Sequence, residues 1–418
     1  MTVAVSATLA INETVERARR DGRPVLALGF GEAGLPVHPA LKERLAAAAG
    51  GNGYGPVAGI APLREAAAGY WSRRSLPTRA DQVVVGPGSK PLLYALLQAI
   101  GGDVALPQPS WVSYAAQADL LAQRAHLVPT TPGQGGVPDP QALDRLARRA
   151  RERGHPVRSV VLTLPDNPTG TLAGSDRVAQ VVAVARAHDL VIVSDEIYRD
   201  LLHDPRQAFI SPAELAPERT VVTTGLSKSL ALGGWRLGVL RLPDSDLGDR
   251  LGERVLHIAS EVWSSAPNPV QQVAAWAYEE PTVLRTHLEA SRRLHACVAA
   301  AVAEVFLDAG ATLARPVGGF YVYPDLGAHR DVLRERWGVT DGPALAATLL
   351  DRLDIATLPG AAFGDDHAAL RLRVATSLLY GPDDLRRQTA LVDDAPLALP
   401  WIRDGLGQLA RALETLAG

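Results

Sequence analysis

Short apolar runs alternate with amphipathic segments through the first two thirds of the chain. Runs rich in valine, isoleucine, leucine and threonine cover residues 82–85, 103–106, 125–128, 159–163, 190–194, 220–223 and 236–240. Their length and β-branched content predict strands. Between most of them lie stretches with helical spacing, at 91–100, 112–123, 141–153 and 176–188. Strands that are apolar on both faces and separated by helices predict a sheet covered on both sides. Residues 40–285 therefore read as one α/β domain.

The texture then changes. A long helical pattern covers 283–309, strand signals follow around Gly318-Gly-Phe-Tyr-Val-Tyr323, and another strand is predicted at 370–376. Residues 286–418 read as a smaller α+β domain, joined by an amino-terminal arm over 1–39. Thr131-Pro-Gly-Gln-Gly-Gly-Val-Pro138 is a loop by its glycine and proline content. There is no internal repeat and no low-complexity tract.

Composition narrows the function classes. The 418 residues are 47% hydrophobic and 21% charged, ample for a large core and unlike a disordered chain. A formal net charge of −3 gives no basic excess for nucleic acid. The single cysteine, Cys297, excludes an intrachain disulfide and fits a reducing compartment. The longest apolar stretches, such as 178–185, fall far short of the roughly 20 residues a membrane span needs. The start of the chain runs into an amphipathic helical pattern at 12–20 rather than a cleavage site. A soluble cytoplasmic protein is expected.

The chain has only three lysines, Lys42, Lys90 and Lys228. Arginine supplies the other basic residues, as GC-rich codon usage would produce. Chemistry that needs a lysine amine has three candidates.

Gly29-Phe-Gly-Glu-Ala-Gly34 matches the glycine spacing of a dinucleotide-binding turn. That fingerprint also needs a helix opening on the third glycine and an acidic residue about 20 positions on. Pro36 and Pro39 interrupt the helix start, and 50–56 carries no acid. A tight turn beside a ligand is the better reading of Gly31.

Four segments fall at or just beyond the ends of predicted parallel strands, where open α/β sheets bind ligands. Gly86-Pro-Gly-Ser-Lys90 joins a strand to a helix, and its amides suit a phosphate; taken alone, it is an ordinary turn. Leu164-Pro-Asp-Asn-Pro-Thr-Gly170 places Asn167 before a proline, in extended geometry, though Asn-Pro also starts routine turns. Ser194-Asp-Glu-Ile-Tyr198 ends the most apolar strand, and a carboxylate there needs a cationic partner unless it caps a helix. Gly225-Leu-Ser-Lys-Ser-Leu-Ala-Leu-Gly-Gly-Trp-Arg236 sets a lysine and an arginine around a small-residue turn. A lysine desolvated beside cations has a lowered pKa and becomes a usable nucleophile. Lys42 sits on a solvated amphipathic helix and Lys90 opens a helix, which leaves Lys228. A lysine amine, a phosphate cradle, a buried carboxylate, an amide and a phenol together are what pyridoxal 5′-phosphate requires.

At this point the chain resembles the class I/II aminotransferases, the fold-type I pyridoxal-phosphate enzymes of the aspartate aminotransferase superfamily. The resemblance runs from about Leu26 to Thr376. It rests on Gly31-Glu, Tyr54-Gly-Pro, Gly88-Ser-Lys, Pro109-Ser-Trp-Val-Ser-Tyr114, Asp166-Asn-Pro-Thr-Gly170, Ser194-Asp-Glu-Ile-Tyr198, Ser227-Lys-Ser, Gly-Gly-Trp-Arg236, Gly319-Phe-Tyr, Pro359-Gly-Ala-Ala-Phe-Gly364 and Arg371-Leu-Arg-Val-Ala375. It implies a large, mostly parallel seven-stranded sheet with helices on both faces, and a smaller α+β domain.

The resemblance also implies roles. Lys228 would be the Schiff-base lysine and proton shuttle, and Asp195 the partner of the pyridinium nitrogen. Asn167 and Tyr198 would bind the ring 3′ oxygen, and Trp111 would stack on the ring. Gly88, Ser89, Lys90, Ser227 and Arg236 would hold the phosphate. Tyr54 would reach the phosphate of a neighbouring subunit, implying a homodimer with shared active sites. Arg371 would grip the substrate α-carboxylate, with Gly31 and Asn167 beside it. No metal is implied.

This sequence departs from the family pattern in places. Arg373 replaces the small residue often found two positions after the carboxylate arginine. Gly31-Glu-Ala-Gly replaces the usual Gly-Glu-Pro-Asp, and Gly225 stands where some members place a phosphate-binding serine. Residues 389–401 read as an insertion before the last helix, either a packing loop or a loop near the active site. The leading functional reading is a ping-pong exchange of an amino group between an amino acid and a 2-oxo acid. A lyase, decarboxylase or oxidase would use the same cofactor residues, so motifs do not separate these reactions. A pyridoxal-phosphate regulator would need a DNA-binding extension, and the segment before Leu26 is too short for one. No residue is assigned to a second substrate carboxylate; Arg373, Tyr114 and Arg124 are the candidates.

Overall fold

The computed structural model describes residues 6–418. The first five residues of the expected amino-terminal arm lie outside the described residues. In chain order the strands are β1 (Leu26–Ala27), β2 (Val83–Gly86), β3 (Asp103–Gln108), β4 (Ala125–Pro129), β5 (Val157–Thr163), β6 (Val191–Asp195), β7 (Thr220–Gly225), β8 (Gly238–Arg241), β9 (Tyr321–Val322), β10 (Ile355–Ala356), β11 (Leu358–Pro359) and β12 (Leu372–Ala375).

Seven of them form one sheet in the order β2-β8-β7-β6-β5-β3-β4. All seven are the strands read from the apolar runs. The sheet is mostly parallel: β8 alone runs antiparallel to both its neighbours, β2 and β7. Alternate side chains feed opposite faces, as strand geometry requires. In β5, Val161 packs with Leu92, Leu96 and Val193 on one face. Val160 and Leu162 pack with Val178, Val182 and Ile192 on the other. The four helices expected between strands are present as Ser89–Ile100, Val112–Leu120, Pro140–Glu152 and Ser175–Ala187. Asp139 caps the third of them, accepting from the Ala142 amide, with Pro140 at the first helical position.

Two small sheets lie apart from the large one. β1 pairs in parallel with β10, and β11, β12 and β9 form an antiparallel ribbon. Their core joins Leu28 and Leu35 to residues from Leu294 to Leu416. The amino-terminal segment thus completes a unit otherwise made from the end of the chain. Helix Thr282–Asp308 serves both halves: Leu284 packs among the side chains under β2 and β7, and Leu294 to Phe306 pack in the smaller core. The boundary drawn at 285/286 falls in the first turn of this helix.

The stretch read as an insertion is a packing element. Pro396 is buried, Leu397, Leu399 and Trp401 lie against the smaller core, and the Trp401 indole donates to the Tyr380 carbonyl. No helix among the described residues is long and apolar enough to cross a membrane.

Candidate active site

The parallel strands end on one side of the large sheet, and the segments that follow them line a cavity of about 570 Å³. Lys228, Asp195, Asn167, Tyr198, Trp111, Ser89, Lys90, Ser227, Arg236 and Gly31 all reach it. The structure therefore brings together most of the residues assigned from sequence. All but Gly31 arrive by a short link from a strand of the large sheet, so that sheet fixes their spacing.

Asp195 is the last residue of β6, level with Thr163 on β5 and Thr223 on β7. It is buried. The Tyr114 phenol donates to its Oδ2 at 2.7 Å and the Ile197 amide to its Oδ1 at 3.2 Å. Burial pushes its pKa up to about 6, and the Tyr114 hydrogen bond pulls the other way. No cation is paired with this carboxylate among the described residues. A cationic ring nitrogen is the partner it lacks.

Lys228 lies in the short helix Leu226–Ser229 that follows β7. Its amine donates to the Gly31 carbonyl at 2.6 Å. Burial, and next the nearby Arg373 guanidinium, lower its pKa to about 8. The same lysine has Tyr198 and Phe320 beneath it, with the ring centres 5.9 and 5.8 Å from Nζ.

The phosphate-binding expectation meets a built cradle. Ser89 starts helix Ser89–Ile100 behind Gly88, whose φ of +105° suits glycine. A Cβ on Gly88 would stand 2.6 Å from Arg236 Nη2, and one on Gly238 would stand 2.4 Å from the Ser89 amide nitrogen. Only glycines let these chains close around the helix N-terminus. Arg236 itself sits at a left-handed φ of 55° and has no carboxylate partner among the described residues. Lys90 lies 5.1 Å over the Trp111 ring, its pKa lowered by burial and by Arg236.

Asn167 is buried with its Oδ1 unpartnered, and Tyr198 bonds the Tyr321 hydroxyl at 2.8 Å. A buried amide, a carboxylate with no ion pair, an arginine with no carboxylate partner beside a helix N-terminus and a lysine amine form a set of groups that fits pyridoxal phosphate.

Several residues fall elsewhere. Tyr54 is 93% exposed and away from this cavity. Arg124 lies near β4, also outside it, whereas Tyr114 lines the cavity and donates to Asp195. Arg371 departs from its expected place. It donates to Asp325 at 2.8 Å and to Asp365 at 3.0 Å, and it does not line the cavity. The carboxylates on both sides of it hold it outward. Arg373, two residues on and inside β12, lines the cavity instead. Glu32, Phe30, Tyr321, Thr8 and Leu9 also line it and had no assigned role. For Glu32 and Tyr321 the signal was at hand, in Gly31-Glu and Gly319-Phe-Tyr.

Comparison with known proteins agrees with this geometry. A model of the family described as aminotransferase class I and II matches residues 24–378. The chain is 33% identical to the probable aspartate/prephenate aminotransferase of Thermus aquaticus, over 77% of this chain and 82% of that one. It is 31% identical to the aspartate/prephenate aminotransferase of Thermus thermophilus, over 89% and 92%. The solved Thermus thermophilus aspartate aminotransferase with maleate superposes with a TM-score of 0.82 at 27% identity, covering 98% of this chain and 97% of that one. The chain belongs to the class I and II aminotransferases, and it is a pyridoxal-phosphate-dependent enzyme that transfers amino groups.

Proposed function

We propose that this aminotransferase runs a ping-pong exchange between an α-amino acid and a 2-oxo acid, with Lys228 as its covalent anchor and proton carrier. The observation that carries this reading is the half-buried Lys228 amine and the buried Asp195 carboxylate facing one cavity, neither held in an ion pair among the described residues. When bound, pyridoxal phosphate supplies an electron sink for the bonds at the substrate Cα. The residues do the rest. Asp195 would hold the proton on the ring nitrogen. Asn167 and Tyr198 would bind the ring oxygen, with Tyr321 fixing the Tyr198 hydroxyl. The Ser89 amide, Ser227 and Arg236 would hold the phosphate, and Trp111 would cover the ring. Lys228 Nζ, with its pKa near 8, takes the Cα proton as a free amine.

Exposed Tyr54 fits a homodimer in which it reaches the neighbour's phosphate, and the lone cysteine fits a cytoplasmic setting. The names of the Thermus relatives make aspartate the first donor to try.

The test is spectroscopic. Holoenzyme is mixed with one amino acid at a time, without an oxo acid, and the cofactor band is followed. Conversion to the pyridoxamine form, reversed by a 2-oxo acid, is the expected result. Release of ammonia or carbon dioxide with the starting band restored would overturn it.

A further inference from the structure

We propose that Arg373, and not Arg371, receives the substrate α-carboxylate in this chain. The inference rests on the transamination reading of the cavity and concerns how the substrate is held there.

Arg371 immediately precedes β12 and Arg373 lies within it, two residues on, so either could turn toward the cavity. Their partners separate them. Arg371 is bracketed by Asp325 and Asp365, and the Tyr323 hydroxyl holds Asp365 in place at 2.8 Å. Two carboxylates already surround that guanidinium, and its side chain is 40% exposed. It has no unmet demand for an anion.

Arg373 is 1% exposed and lines the cavity. Its guanidinium carbon lies 4.8 Å from the centre of the Tyr321 ring and 4.9 Å from that of Phe363. Nη2 donates to the Gly29 carbonyl, Nε has no partner, and no carboxylate pairs with the group among the described residues. A buried guanidinium without a counter-ion is costly unless an anion arrives. Contact with two aromatic rings limits the freedom of the guanidinium fork that a carboxylate needs.

Position agrees with this demand. A Cβ on Gly31 would stand 3.2 Å from Arg373 Nη1 and 2.5 Å from the Tyr321 hydroxyl, and the Gly31 carbonyl holds the Lys228 amine. Arg373 and Lys228 therefore flank the same short backbone segment. A carboxylate on Arg373 places the adjoining Cα toward Lys228. The remaining cavity cations, Lys90 and Arg236, lie together at the phosphate cradle.

The experiment uses holoenzyme variants Arg373→Gln and Arg371→Gln. It measures kcat and KM for a reactive monocarboxylic amino acid, and calorimetric Kd for two unreactive probes, propionate and maleate. Arg373→Gln is expected to raise KM and both Kd values about 100-fold, as loss of a buried charge partner does, while its cofactor band persists. Arg371→Gln is expected to change them less than about threefold, as for an exposed ion pair. Arg373→Lys keeps the buried charge but loses the fork; its KM should rise at least about tenfold. It carries the same test where the glutamine variant fails to fold. Two results would overturn the proposal: Arg371→Gln carrying the loss, or Arg373→Gln weakening maleate alone. The second would assign Arg373 to a side-chain carboxylate. Failure of the transamination reading would instead appear as an unchanged cofactor band with every amino acid in all variants and the parent enzyme.

Discussion

The Tyr114 hydroxyl donates to Asp195 Oδ2 at 2.7 Å in the wall of the cavity. Tyr114 also bonds the Thr163 hydroxyl at 3.0 Å, so the phenol is fixed from both sides. It is a positioning residue, and it favours the charged form of a carboxylate that burial disfavours. Tyr114→Phe should let the Asp195 pKa climb from about 6. A charge-assisted hydrogen bond is worth about 1.5–3 kcal/mol, so kcat should fall roughly 10- to 100-fold. A structural role alone would leave the pH profile in place. Here the acid limb of kcat should move to higher pH, as profiles across pH 5 to 9 would register.

Lys228 should make cofactor capture pH-dependent. Its pKa is lowered to about 8 by burial and then by Arg373, and the nucleophile is the deprotonated amine. The capture rate of apoenzyme should rise with pH and level off above about pH 8. Lys228→Ala should show no borohydride-reducible visible band at any pH. Stopped-flow absorbance with added cofactor reads both outcomes.

Gly238 sets how tightly β8 lies against the phosphate cradle. A Cβ there would stand 2.4 Å from the Ser89 amide nitrogen and 2.5 Å from the Gly88 carbonyl carbon, both backbone atoms that cannot swing away. Gly238→Ala should raise the cofactor Kd at least about tenfold, the loss of one good hydrogen bond to an anion. The mirror case is Gly50→Ala, an exposed position outside the cavity where no atom lies within 4 Å and Kd should hold. Fluorescence titration of apoenzyme compares the two.

Asp166 is buried, and burial pushes its pKa up to about 7 despite two hydrogen bonds from Thr169. Its folded pKa lies above its unfolded one. Its contribution to stability is therefore full below about pH 4 and lost as pH rises toward 7. Asparagine keeps an acceptor for Thr169 and never ionises. Asp166→Asn should match the parent near pH 4 and gain on it up to about pH 7. The advantage should then stay level, at about 2–4 kcal/mol. Urea unfolding at several pH values measures the gap.

The large sheet was legible because buried parallel strands write themselves as unbroken apolar runs, and the residues at their ends follow in fixed order. Lys228, Asp195 and Asn167 could be found from that order alone. The antiparallel direction of β8 was not legible, since direction depends on how the 226–237 connection folds back. β1, β9, β10 and β11 have two residues each, too few to show a period. The Arg371 and Arg373 pair shows another limit. The sequence sets them two residues apart, but which turns inward is decided by Asp325 and Asp365, and Asp325 is 46 positions from Arg371. The pocket contacts of Thr8 and Leu9 depend likewise on where the first helix docks.

The bond from Lys228 to the Gly31 carbonyl gives the amino-terminal segment a stake in cofactor loading. The amine that must be released for covalent capture is the one that pins residues 29–32 against the cavity wall. Loading and docking of that segment are thus linked equilibria. By reciprocity, a change that tightens the segment's hold on the amine slows and weakens capture, and a filled site changes the segment's exposure to a protease by the same free energy.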